Sequence, residues 1–160
     1  MNAVDALKIV ISSSEHVCLG YLNDLTDAEM MLRPHPGCNH INWQIGHLVL
    51  SEHEMLEAIL PGSMPALPAG FAMKYRKEAA GSDDPSAFLT RDKLLQAYRE
   101  QRTAALALLD QQTSETLDRP SGLEYAPNVG AVFSMLGLHW MMHSGQWVVV
   151  RRQTGRAPLF

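Results

Sequence analysis

The sequence predicts an all-α protein, a four-helix bundle whose helices are joined by two long connections. Four segments of about twenty residues repeat apolar residues at alternating spacings of three and four. No segment shows convincing strand-like alternation. Helices of this number and length suit a four-helix bundle, and the long connections allow an order of helices other than simple up-and-down.

The first predicted helix runs from about residue 2 to residue 24. Its apolar seam has the spacing of a bundle helix: Val4, Leu7, Ile11, Ser14, Cys18, Tyr21 and Leu25. The residues from Thr26 to Glu29 then have the pattern of a capping box, which starts a helix. We expect this second helix to be short, because Pro34 stops it.

The next long helix is expected to begin near Asn39, a good N-cap residue, and to end at Pro61-Gly62. Its apolar stripe consists of Ile41, Ile45, Leu48, Met55 and Ile59. A second row on the same side is polar and borders this stripe: His40, Gln44, His47, Ser51 and Glu54. Such a polar row beside a core stripe is unusual.

A long connection follows over residues 61–89, in which 71–80 can form a short helix. The third long helix is predicted from the N-cap residue Thr90 to Gln112, with an inner edge of Leu94, Tyr98, Arg102, Ala105 and Leu109. After a break at 113–127, the fourth runs from about Asn128 to Thr154 and closes at Gly155. Its seam is Val129, Val132, Leu136, Trp140, His143, Trp147 and Val150.

Composition limits the class of protein. The 160 residues are 46% hydrophobic and 19% charged, which is ordinary for a globular protein and predicts one domain over residues 1–160. A net charge of −4 without a basic patch argues against a nucleic-acid partner. No signal peptide is evident and no stretch approaches the ~20 apolar residues of a membrane span, so we expect no membrane partner.

The two cysteines, Cys18 and Cys38, are too few for a disulfide framework, and neither belongs to a Cys-x-x-Cys pair. We interpret both as structural or incidental, in a reducing compartment. The sequence therefore predicts a cytoplasmic protein.

Three histidines form a candidate metal site. His143 occupies the seam of the fourth helix, and His139 lies one turn earlier on the same face. Imidazoles at this spacing can converge on one ion, and His47 adds a third from the polar row of another helix. The alternative is that all three are core histidines without a ligand. Trp140 follows His139, which excludes a His-Glu-x-x-His motif, and no Glu-x-x-His occurs for a di-iron site.

The other polar residues near these helices have open roles. His40 either lies near the mouth of the site or is an exposed histidine at a helix start. His16, His35 and His53 are expected at the surface. Gln146, one turn after His143, either supports the site or serves capping or packing. The three tryptophans are expected to fill the core: Trp43, Trp140 and Trp147.

Two motifs resemble those of the DinB/YfiT-like superfamily. Residues 39–48, Asn-His-Ile-Asn-Trp-Gln-Ile-Gly-His-Leu, resemble its first metal-ligand helix. Residues 139–146, His-Trp-Met-Met-His-Ser-Gly-Gln, resemble its second motif, and residues 152–158 resemble its ending. The resemblance implies that His47, His139 and His143 are the metal ligands. It also implies a four-helix bundle of unusual connectivity, often a homodimer.

An open three-histidine site indicates reactivity, because structural zinc is usually closed by four protein ligands. No protein nucleophile or carboxylate base is evident at the motif, so the catalytic residues stay unassigned and the chemistry is expected at the ion. The ion is expected to be zinc, nickel or iron, since imidazole suits each.

The resemblance extends to thiol-dependent enzymes, such as mycothiol-dependent maleylpyruvate isomerase and bacillithiol transferases. It implies a metal-dependent transferase that joins a low-molecular-weight thiol to a small electrophilic substrate, with the thiol activated as a metal-stabilised thiolate. Two alternatives stay open. One is a hydrolase that uses a metal-bound hydroxide, and the other is a non-catalytic metal-binding module of a stress response.

Overall fold

The computed structural model describes residues 1–160, and most of them are helical. The seven helices are α1 (Ala3–Leu22), α2 (Asp27–Met30), α3 (Ile41–Ile59), α4 (Phe71–Tyr75), α5 (Arg91–Asp110), α6 (Ser114–Leu117) and α7 (Val129–Gln153). Four of them, α1, α3, α5 and α7, are long and correspond to the four predicted segments. The predicted all-α bundle is therefore confirmed.

Polar side chains cap α2 and α7 as the sequence predicts, whereas Thr90 stands at the predicted N-cap of α5 without a side-chain capping hydrogen bond. Thr26 and Glu29 form the predicted capping box at α2, and Asn128 caps α7 through the backbone N–H of Ala131. The prediction of Asn39 as the N-cap of α3 is wrong by one residue. Instead, Nδ1 of His40 accepts the Trp43 N–H at 3.0 Å. The imidazole of His40 therefore caps the helix in place of the expected Asn39 side chain.

The two long connections contain more structure than the sequence predicts. The first holds α4 and a 3-10 turn over Lys77–Ala79, in agreement with the short helix expected there. The second holds α6 and an antiparallel hairpin of β1 (Pro120–Leu123) and β2 (Ala126–Asn128). These strands of four and three residues are too short to show alternation in the sequence, and they leave the fold class all-α.

Close helix packing brings α7 against α1 on one side and α3 on the other. Gly137 allows the approach to α1, since a Cβ there would lie 2.8 Å from the Ser14 hydroxyl and 3.2 Å from the Val10 carbonyl oxygen. The predicted inner edge of α5 and the apolar part of the α7 seam are buried. No helix is both long and apolar enough to cross a membrane.

A buried ion pair ties three of the long helices together. Arg102 of α5 donates from Nη2 to Glu52 of α3 at 2.8 Å and to the Leu136 carbonyl of α7 at 3.0 Å. Its guanidinium also lies over the rings of Tyr98 and Trp140, at 5.3 and 5.8 Å from their centroids. Arg102 therefore connects α3 to α7 at Leu136. Leu136 lies one turn before Trp140, which is the neighbour of His139 in the sequence.

Candidate metal centre

Helices α3 and α7 bring three imidazole rings together. The His47 ring centroid lies 5.3 Å from that of His139 and 5.7 Å from that of His143, and the latter two are 5.0 Å apart. One ring nitrogen from each residue lies within 4.8 Å of the other two. The three residues of the predicted site therefore lie together.

The geometry fits one divalent ion. Ligand nitrogens at ~2.0–2.1 Å from a tetrahedral ion are about 3.4 Å apart, so the rings need to close by roughly 1.4 Å at most. Rotations about the side-chain torsions cover that distance. The cluster supplies three nitrogen ligands and no carboxylate or thiolate, which leaves a coordination position for a ligand from outside the protein.

The charge state of the rings also suits a metal. Burial, followed by the neighbouring imidazoles, lowers the pKa of His139 and of His143 to about 4. Burial and the ammonium group of Lys77 lower the pKa of His47 as well. All three rings are therefore neutral at neutral pH, and each has a nitrogen lone pair to offer.

Gln44 contacts the cluster through a complete set of hydrogen bonds. Its Oε1 lies 3.0 Å from Nδ1 of His143 and accepts the indole N–H of Trp147 at 3.0 Å. Its Nε2 donates to the Asn39 carbonyl at 2.6 Å and to Oε1 of Gln146 at 3.1 Å. Gln44 is 1% exposed, so these hydrogen bonds are shielded from bulk solvent. Gln146 makes this hydrogen bond to the outer side of the Gln44 amide and none to an imidazole of the cluster.

The first long connection closes over α3 beside His47. The Tyr75 ring of α4 lies so close to Gly46 that a Cβ at that glycine would overlap it. The Tyr75 hydroxyl donates to Oδ1 of Asn42 at 3.2 Å and accepts the Leu89 N–H at 3.0 Å. Position 46 therefore requires glycine, because the Tyr75 ring packs directly against the backbone of α3 there.

Trp43 forms one wall of the site. Its ring stacks on that of His47, with centroids 4.9 Å apart and planes at 3°, and its indole N–H donates to the Arg76 carbonyl at 3.1 Å. The three tryptophans are buried, as predicted. Trp43 therefore fills core and at the same time orients a histidine of the cluster.

Two cavities lie beside the histidine cluster, and each is lined by one of its histidines. One, of about 380 Å³, is lined by His139 and the apolar residues Met55, Leu123, Tyr125 and Met135. We call it the apolar cavity. The other, of about 300 Å³, is lined by His47 and the charged residues Arg76, Lys77 and Glu78, and we call it the charged cavity. Ser51 and Glu54 line both, so the outer part of the predicted polar row separates the two cavities.

The remaining histidines differ in part from expectation. His16 and His35 are exposed as predicted, whereas His53 is half-buried and bonded to Gln101 at 3.1 Å. Of the two interpretations of His40, that of an exposed histidine at a helix start is wrong. His40 is fully buried, because Phe88 from the first connection packs on its ring with centroids 4.7 Å apart.

Two contributors to the site were not predicted from the sequence. Gln44 stood in the polar row without a role, although its position one turn before His47 was a usable signal. Tyr75 lies in a connection without a motif, and only the glycine at position 46 hinted at a bulky neighbour.

A family model described as the DinB superfamily matches residues 11–147. The match covers most of the chain and includes all three clustered histidines. The protein belongs to the DinB superfamily, as the two histidine motifs indicate. No curated protein and no solved structure matches the chain significantly.

Proposed function

We propose that the protein is a metal-dependent transferase in which His47, His139 and His143 hold one divalent ion. The observation that carries the proposal is that two histidines of the cluster line two neighbouring cavities of different chemical character, His139 the apolar cavity and His47 the charged cavity. A transferase needs room for two substrates at one centre. A hydrolase needs room for one substrate and a water molecule.

The chain supplies the binding surfaces for two unlike molecules. Met55, Tyr125 and Met135 offer an apolar surface to an uncharged electrophile. Lys77 offers a cation to a polar thiol in the charged cavity; it has no ion-pair partner, whereas Arg76 is paired with Glu54 at 3.0 Å. A divalent ion held by His47, His139 and His143 would supply Lewis acidity, which would lower the pKa of a thiol bound to it.

The finer parts of the proposal extend the family resemblance. The co-substrate is a low-molecular-weight thiol, the ion is zinc, nickel or iron, and the protein is a cytoplasmic homodimer without nucleic-acid or membrane partners. The neutral three-imidazole set supports each of the three ions equally.

Turnover with defined thiols tests the proposal. Metal-loaded protein is offered 1-chloro-2,4-dinitrobenzene with 3-mercaptopropionate, cysteamine or 2-mercaptoethanol. The reaction forms a carbon–sulfur bond and releases chloride and a proton. We expect metal-dependent turnover, lost in His139→Ala, with a lower KM for the thiol that carries a carboxylate.

A matched pair of variants tests the charged cavity. Lys77→Ala should raise the KM for 3-mercaptopropionate and leave that for 2-mercaptoethanol unchanged, while Lys93→Ala, on the exposed face of α5, should change neither. If metal-loaded protein shows no turnover and binds no thiol, that result would contradict the transferase. Cleavage of an ester with water alone would support the hydrolase instead, and metal-dependent stability without any reaction would support the non-catalytic module.

A further inference from the structure

We propose that Gln44 is a positioning residue that places the proton of His143 on Nδ1 and so leaves Nε2 of that ring free to bind a metal. The consequence for metal binding rests on the function proposed above. The assignment of the proton follows from hydrogen bonds within the protein alone.

Two neighbours fix the orientation of the Gln44 amide independently of each other. The indole N–H of Trp147 can only donate, so the amide atom 3.0 Å from it is the oxygen. The Asn39 carbonyl can only accept, so the amide atom 2.6 Å from it is the nitrogen. A flipped amide would place like groups together at both contacts.

This orientation determines the tautomer of His143. The Gln44 oxygen lies 3.0 Å from Nδ1 of His143. This oxygen can only accept a hydrogen bond, and two acceptors cannot form a hydrogen bond with each other. Nδ1 must therefore carry the hydrogen, and the neutral ring has its lone pair on Nε2. Among the three clustered rings, only that of His143 is held by a hydrogen bond to the protein, so Gln44 presets one ligand of the site.

The arrangement costs the fold little, because Gln44 is fully satisfied. Its oxygen accepts two hydrogen bonds and its nitrogen donates two, which uses the whole capacity of a primary amide. Removing a hydrogen-bond partner of a metal-ligating histidine typically weakens metal binding ~10–100-fold.

Long-range ¹H–¹⁵N NMR of imidazole-labelled protein tests the assignment without metal. At neutral pH, His143 of the metal-free protein should show a protonated Nδ1 and an unprotonated Nε2. Gln44→Met keeps the side-chain length and removes the acceptor, so the ring should become a mixture of both tautomers. Gln146→Met is the matched control: it removes only an outer partner of the Gln44 nitrogen and should leave the tautomer unchanged.

The affinity for Zn²⁺ provides the second readout. Gln44→Met should raise the Kd for Zn²⁺ ~10–100-fold, and Gln146→Met should change it less than about threefold. A proton on Nε2 of His143 in the unmodified protein would overturn the inference. So would an unchanged tautomer in Gln44→Met. If the unmodified protein binds no Zn²⁺ while Nδ1 carries the proton, the metal site fails and the positioning of His143 stands.

Discussion

The ion pair between Glu52 and Arg102 permits a quantitative prediction about the fold that positions the cluster. Both side chains are almost fully buried, at 2% and 4% exposure, and their N···O distance is 2.8 Å. Removing one partner of a buried pair leaves an uncompensated charge and typically costs ~3–5 kcal/mol. We expect that loss of unfolding free energy for Arg102→Met, and a similar loss for Glu52→Leu.

The double variant distinguishes a charge effect from lost packing. Glu52→Leu with Arg102→Met replaces both charges by apolar groups of similar size. We expect the unfolding free energy of this double variant to lie within about 1 kcal/mol of that of the unmodified protein. Two single losses of at least ~3 kcal/mol and a double loss of at most ~1 kcal/mol give a coupling free energy of at least about 5 kcal/mol. If instead the losses of the two single variants add in the double variant, the pair acts through packing alone.

The pH dependence of Arg102→Met provides an internal check. Burial raises the pKa of Glu52, and Arg102 is the main group that opposes this. Without Arg102, the folded state binds a proton at Glu52 at a pH where the unfolded state does not. The unfolding free energy of the variant, relative to the unmodified protein, should therefore rise as pH falls from 7 to 5.

Urea unfolding followed by far-ultraviolet circular dichroism measures these differences. Equal slopes against urea in all four proteins are required for the comparison. A loss below about 1 kcal/mol in both single variants would refute the reasoning, because it would mean that water reaches the pair.

Three further predictions concern the surroundings of the cluster. Gly46→Ala should destabilise the protein by ~1–3 kcal/mol in the same urea titration, because the new Cβ overlaps the anchored ring of Tyr75. Gly145→Ala, whose Cβ lies in open space on α7, is the control and should be neutral or stabilising by up to ~1 kcal/mol. Burial lowers the pKa of His40 from 6.5 to about 4, so the unfolded state binds more protons in that window and the unfolding free energy should fall with pH below 6.5. His40→Asn keeps an N-cap and should make this fall shallower in chelator-treated protein; an unchanged slope would contradict a buried neutral His40. Zn²⁺ should raise the Tm of the unmodified protein and leave that of His47→Ala unchanged in differential scanning fluorimetry, and an equal rise in both would place the ion elsewhere.

Local sequence patterns predicted the long helices well, because each depends on neighbours within one or two turns. The seam of α7 and the inner edge of α5 follow from the spacing of their apolar residues alone. The capping box of Thr26 and Glu29 predicts the start of α2. The shared face of His139 and His143 was predictable for the same reason, whereas the approach of His47 from another helix was expected from the family resemblance. His139 and His143 share a face of α7, and His47 stands in a polar row beside a core stripe.

Contacts between distant residues could not be read from the sequence. Gln44 and Trp147 are 103 positions apart, and nothing local to either reveals that one amide contacts both an indole and an imidazole. The burial of His40 depends in the same way on Phe88, which lies in a connection without periodicity. The two cavities likewise depend on how the connections fold over α3, which composition does not determine.

Element analysis of protein purified without a nickel column tests the metal site most directly. The three neutral imidazoles predict a stoichiometric divalent ion in the unmodified protein and its loss in His47→Ala, with the helical content of that variant unchanged. Protein that stays free of metal after incubation with zinc, nickel and iron salts would contradict the site and the chemistry proposed for it.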